Sequence, residues 1–142
     1  MRYLTIFIVF SLFITLAAEA TNVVPEVFKA RRQALMKKLD GRVAVLYGAT
    51  HQGAGVVETL FTQESNFYYL TGVSEPGAAL ILAPNERQFK EILYLQPRDP
   101  DVENWDGRRA PLGEALEAAM GFPVVRRIGR LGSDLTSVMQ RS

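Results

Sequence analysis

Apolar residues dominate the chain from Tyr3 to Ala17, and after Glu19 they break into short runs separated by charged, proline- and glycine-containing stretches. Beyond that first run, residues Val23 to Leu39 carry Val24, Phe28, Leu35 and Leu39 near one helical face, with Pro25 suited to a first turn. A helix is predicted there, stopped by Asp40-Gly41. Its other face carries Lys29, Arg31, Arg32, Lys37 and Lys38 and is expected to be solvated. Val43 to Tyr47, Ala78 to Ala83 and Glu91 to Gln96 are β-forming runs bounded by turn residues, and each reads as a buried strand. Pro84-Asn85-Glu86-Arg87 is turn chemistry, so the second and third strands are expected to pair antiparallel.

Leu112, Ala115, Leu116, Ala119 and Met120 follow the spacing of an amphipathic helix that Gly121 and Pro123 end. Val124-Val125 reads as a short strand. Ser133 or Asp134 is expected to cap a last helix carrying Leu135, Val138 and Met139, and the sequence ends inside that pattern. Strands and helices alternate, so the fold class is α/β, a mixed β-sheet flanked by helices, with the last helix expected to be truncated.

The opening run has a second meaning. Arg2 precedes it, and Ala18-Glu19-Ala20 offers the small residues a signal peptidase needs. The run is shorter than the roughly 20 apolar residues of a membrane span. Residues 1–20 are therefore expected to be a signal peptide cleaved after Ala20, which implies a secreted or periplasmic protein with no stable membrane anchor. Removing them from the 142 residues leaves 122, enough to bury one core. Without Arg2 and Glu19, the 16 basic and 15 acidic residues become 15 and 14. That balance gives no pull towards nucleic acid. The chain has no cysteine, which excludes disulfides, thiol catalysis and cysteine-ligated zinc.

Few motifs carry chemistry. Gly48-Ala49-Thr50-His51-Gln52-Gly53 has the glycine spacing of a phosphate loop. The positions that need Lys and Ser or Thr are Ala54 and Gly55, so a plain loop is expected. His51 is the single histidine, which rules out a His-rich metal site and reads as a surface residue. Asp99, Asp101, Glu103 and Asp106 crowd Trp105, but the segment lacks the glycine and distal glutamate of a calcium loop. No catalytic apparatus and no metal site is expected in these residues.

Three blocks carry a resemblance. Phe61-Thr62-Gln63-Glu64-Ser65-Asn66-Phe67-Tyr68-Tyr69-Leu70-Thr71-Gly72, with Glu75-Pro76-Gly77-Ala78, resembles the signature of the N-terminal domain of the aminopeptidase P and prolidase family. Phe67 to Leu70 reads as a tight aromatic packing block with Gly72 giving the exit. Arg31-Arg32-Gln33-Ala34-Leu35 followed by Val43-Ala44-Val45-Leu46 is similar to the family's opening helix and strand. Asp99 to Arg109 resembles its Glu-x-x-Trp-x-Gly-x-Arg loop. The resemblance runs from about Val24 to Gln140; Thr62 departs from it, standing where the family usually has Arg.

The resemblance implies residues 21–142 as a creatinase-like N-terminal domain of a secreted Xaa-Pro aminopeptidase, with prolidase a close variant. The family's catalytic pita-bread domain, with two metal ions, usually Mn²⁺, on two Asp, one His and two Glu, is absent from this sequence. The chain alone is expected to be non-catalytic, and Mn²⁺ belongs to the missing domain. The implied partners are that catalytic domain, further copies in a homo-oligomer, and short peptides. Trp105 and Arg109 are the substrate-rim candidates. A free-standing secreted binding module reusing this domain is the alternative.

Overall fold

The computed structural model describes residues 24–50, 61–106 and 108–141. The expectations for the signal peptide and for His51 lie outside the described residues. Helix α1, Val24–Leu39, has Glu26 in its first turn and Lys37 and Lys38 in its last, each matched to the helix dipole. Asp40 (φ 50°) and Gly41 (φ 80°) turn the chain out of it, as the sequence predicts.

Four strands follow, β1 Ala44–Tyr47, β2 Ala79–Leu82, β3 Glu91–Leu95 and β4 Val125–Arg127. They lie in the order β1-β2-β3-β4. The first two pairings are antiparallel, the expected β2–β3 pairing among them, and β4 joins β3 parallel. The mixed sheet of the sequence reading is thus observed. Every residue of β2 and β3 is buried, which explains their continuous apolar sequence. β1 was read as a buried strand, but it sits at the edge of the sheet, is half-buried and leaves Tyr47 exposed.

Side-chain alternation divides the core between two faces. Leu80, Leu82, Leu93 and Leu95 meet Phe67, Leu70, Leu116 and Phe122, with Leu35 and Leu39 of α1 against them. Ala79, Ile81, Ile92 and Tyr94 meet Val138, Leu131 and Leu135. The second group belongs to the C-terminal helix, Leu131–Arg141. Helices therefore cover both faces.

Helix α2, Ser65–Thr71, occupies the aromatic block. Its period places Phe67 and Leu70 in the core and leaves Tyr68 and Tyr69 exposed, so only half of the expected packing block packs. Helix α3, Pro100–Asp106, forms within the acidic segment around Trp105. Helix α4, Glu114–Met120, is shorter than its apolar pattern. Leu116 is buried and Met120 partly so, while Leu112, Ala115 and Ala119 face solvent. A 3₁₀ turn, Ile128–Arg130, leads into α5, Leu131–Arg141. Ser133 and Asp134 lie inside α5 instead of capping it. The Ser133 hydroxyl donates to the Arg130 carbonyl, and Asp134 is turned to the sheet. Val138 is buried and Leu135 half-buried, but Met139 is exposed.

The largest correction is Arg32, expected on the solvated face and fully buried. Phe28, Arg32, Leu35 and Leu39 follow i, i+4, i+7 and i+11, so the spacing itself puts Arg32 on the core stripe. Its Nε donates to Glu91 Oε2 at 2.7 Å, Nη1 to the Leu70 carbonyl and Nη2 to the Gly121 carbonyl. The guanidinium also lies 3.7 Å over the Phe122 ring. One side chain thereby satisfies carbonyls at the ends of α2 and α4, which have no partner inside their own helices.

Candidate functional site

The site candidates lie on the excursion that leaves β3 at Gln96 and returns at Ala110. It is closed at its base by arginines. Arg127 of β4 donates from Nη1 to the Gln96 carbonyl (2.8 Å) and from Nη2 to the Ala110 carbonyl (3.0 Å). Arg109 Nη1 donates to the Pro97 carbonyl at 2.6 Å. Gln96 Nε2 donates to the Gly77 carbonyl at 2.7 Å, which ties the base to the turn before β2. Guanidinium donors suit this work because they are fixed in a planar fork and never lose charge.

Inside the excursion, α3 is started by its own acids. Asp99 Oδ1 accepts the Asp101 N–H, and the Asp99 carbonyl accepts the Glu103 N–H at 2.7 Å. Glu103 is buried and receives Arg98 through two bonds of 3.1 and 3.2 Å. That Arg98 fork, with the Arg109 main-chain N–H, holds the Glu103 carboxyl below its ordinary range. The acidic crowding around Trp105 thus works as helix initiation and ion pairing. Among the described residues no group of three or more His, Asp or Glu side chains could hold a metal ion.

Trp105 falls in the last turn of α3, and its side chain lies outside the described residues. Arg109 is half-buried, with its guanidinium on a main-chain carbonyl of the same excursion. Both positions lie on the segment whose ends Arg109 and Arg127 hold.

The aromatic block is held by two side chains. Glu64 caps α2 by accepting the Phe67 N–H at 2.6 Å; this bond and those from Asn66 lower its carboxyl pKa. Gly72 ends the helix in the left-handed conformation, φ 68°, as the sequence predicts. Gln63 Oε1 accepts the Ala49 and Glu64 N–H groups, while Nε2 donates to the carbonyls of Val73 and Glu75. Arg31, Phe61, Thr62, Gln63, Tyr68 and Tyr69 border a surface concavity of about 510 Å³, where Arg31 stacks 4.1 Å over the Tyr69 ring. Thr62, the departure from the family pattern, is exposed on this rim.

Sequence reasoning missed Gln96 and Arg127. Each acts on main chain, and no spacing motif marks such a role.

The sequence profile described as "Aminopeptidase P, N-terminal domain" matches residues 28–142. The chain belongs to this family. Xaa-Pro aminopeptidase 3 of Dictyostelium discoideum is 36% identical over 98 residues, covering 67% of this chain and 19% of the relative. The Xaa-Pro aminopeptidase of Escherichia coli is 31% identical over 108 residues, covering 70% of this chain and 24% of the relative. Among solved structures, Pseudomonas aeruginosa aminopeptidase PepP superposes with TM-score 0.69 and 32% identity, covering 80% of this chain and 26% of that one. The chain spans about a quarter or less of the length of these relatives.

Proposed function

We propose that this chain is the non-catalytic N-terminal domain of a secreted Xaa-Pro aminopeptidase. The observation that carries the reading is the family match over residues 28–142, set against relatives of which the matched stretch covers 19% and 24%. In this reading the chemistry belongs to a C-terminal domain that holds the Mn²⁺ ions. Among the described residues no group of three or more His, Asp or Glu side chains could hold a metal ion. The domain contributes contacts to the catalytic domain and to further copies, and it narrows access to short peptides.

The excursion from Gln96 to Ala110 supports a rim role. A segment closed by Arg109 and Arg127 can hold an aromatic side chain at a fixed place, and a flat ring stacks well on a proline or apolar substrate side chain. The test is steady-state kinetics of an enzyme carrying both domains, with Trp105→Ala. The expected result is kcat/KM for short Xaa-Pro peptides lower by about tenfold, the loss of one rim contact, with folding and metal content unchanged. Unaltered kinetics would remove Trp105 from the rim, and a lost fold would make it a core residue.

Export belongs to the same reading, through removal of residues 1–20. Among the described residues no helix is long and apolar enough to cross a membrane.

A further inference from the structure

On the sheet face covered by α5, opposite α1 and α2, a surface cavity of about 210 Å³ opens between β4, the 3₁₀ turn, α5 and the turn that joins β2 to β3. Its charged lining is Arg126, Arg130, Arg141, Asp134 and Glu86. Arg130, Asp134, Ser137 and Arg141 recur at i, i+4, i+7 and i+11, so one helical stripe brings all four to it. Three guanidiniums and two carboxylates therefore share one concavity, a local surplus of positive charge.

The two signs are not placed alike. Asp134 and Glu86 are buried, and both are engaged. Asp134 Oδ2 accepts the Tyr94 hydroxyl at 3.0 Å and meets Arg126 Nη1 at 2.7 Å. Glu86 Oε1 accepts the Arg87 N–H at 2.9 Å and faces Arg141 Nη1 at 3.4 Å. The arginines stand outside these acids: the side chains of Arg126, Arg130 and Arg141 are 29%, 68% and 55% exposed. Arg130 Nη2 is 4.0 Å from Asp134 Oδ1, too far for a hydrogen bond, so its fork is not spent on that carboxylate. Arg126 is fixed further by lying 5.3 Å over the Phe89 ring. The carboxylates anchor and orient the guanidiniums, and the charge presented to solvent is positive.

From this arrangement we infer that the cavity is a binding site for a phosphate group, held by Arg126, Arg130 and Arg141. A single carboxylate fills one guanidinium fork. A phosphate offers acceptors in several directions and carries a charge of about −1.5 to −2 at neutral pH, which suits three forks supplied from β4, the 3₁₀ turn and α5. The site shares no residue with the excursion from Gln96 to Ala110, so it stands or falls apart from the peptidase reading.

The test is calorimetric titration of the full chain with inorganic phosphate and, separately, with O-phosphoserine, the ionic strength being held constant with sodium chloride. The expected result is saturable binding at one site with a Kd of about 1 mM or tighter. Tighter binding of O-phosphoserine assigns the site to an organic phosphate, and equal or tighter binding of inorganic phosphate assigns it to the free ion; either order supports the inference. Arg130→Gln should weaken binding about tenfold through loss of a charge-assisted contact. Its Tm in phosphate-free buffer should not change, because its only ion pair is long and exposed. Arg141→Gln should weaken binding in the same direction, and Lys38→Gln, at the exposed end of α1, should bind as wild type does. A titration that does not saturate overturns the inference, as does a Kd that Arg130→Gln and Arg141→Gln both leave unaltered. An equal loss in Lys38→Gln overturns it too, since it marks general charge attraction in place of a site.

Discussion

Arg32 and Glu91 form a buried ion pair, Nε to Oε2 at 2.7 Å, that joins the middle of α1 to the first residue of β3. Its energetics differ from those of a surface bridge. Both charges have been taken from water, and removing one leaves the other stranded. Arg32→Met should destabilise the domain by about 3–5 kcal/mol. The double change Arg32→Met with Glu91→Leu should recover much of that loss, since no charge is then left buried. Denaturant unfolding of the single and double variants is the measurement. Equal stability of the two would show that the lost carbonyl contacts to Leu70 and Gly121 matter more than the charge.

Gly72 and Gly129 make a matched pair of substitutions. Gly72 has φ 68°, and a Cβ there would overlap the Phe28 ring. Gly72→Ala should therefore cost about 2 kcal/mol or more, the left-handed strain of a side chain plus displacement of a core ring. Gly129 has open space where its Cβ would stand, so Gly129→Ala should be nearly neutral. Thermal melts of the two variants separate conformational from packing demands. A Gly72→Ala melt equal to wild type would show that α2 can exit another way.

The acid response has two carboxyls acting in opposite senses. Arg98 holds the Glu103 carboxyl below its ordinary value, so this pair's contribution is present above the unfolded-state pKa and is lost as pH falls through the lower folded value. Burial raises the Glu75 carboxyl, so its burden is absent below the unfolded pKa and grows as pH rises through the folded value. Arg98→Ala should consequently flatten the acid limb of the stability–pH curve, whereas Glu75→Gln should lift the neutral side. Unfolding free energies measured across about pH 3 to about pH 7 decide it, and an unchanged acid limb in Arg98→Ala would rule out the Glu103 assignment.

Export leaves a simpler trace. If residues 1–20 are removed on export as proposed, mass spectrometry of the exported protein is expected to give Thr21 as the N-terminus. Retention of Met1 in a membrane fraction would instead show an uncleaved anchor.

The strands were legible because Ala78 to Ala83 and Glu91 to Gln96 are apolar almost throughout, and β2 and β3 are buried on both faces. Helix α2 was hidden by composition. Phe67, Tyr68 and Tyr69 favour strands when considered singly, and its seven residues leave little room for periodicity to show. Helix α3 was hidden by polarity, since its start depends on Asp99 and Pro100 and not on an apolar stripe. Arg32 was misplaced because a charge on a core stripe breaks the apolar pattern at the position where the core needs a donor. For the site, Trp105 and Arg109 came from the resemblance. Gln96 and Arg127 could not be singled out, because they are 31 positions apart and meet only through the fold.

The Gln63 amide joins Ala49 to Val73 and Glu75 through a single side chain. Its Oε1 also accepts the Glu64 N–H, so the end of β1, the entry to α2 and the turn before β2 share one amide. Two N–H groups and two carbonyls are satisfied together or left bare together. Three stretches far apart in the sequence are thereby made to open as one cooperative unit.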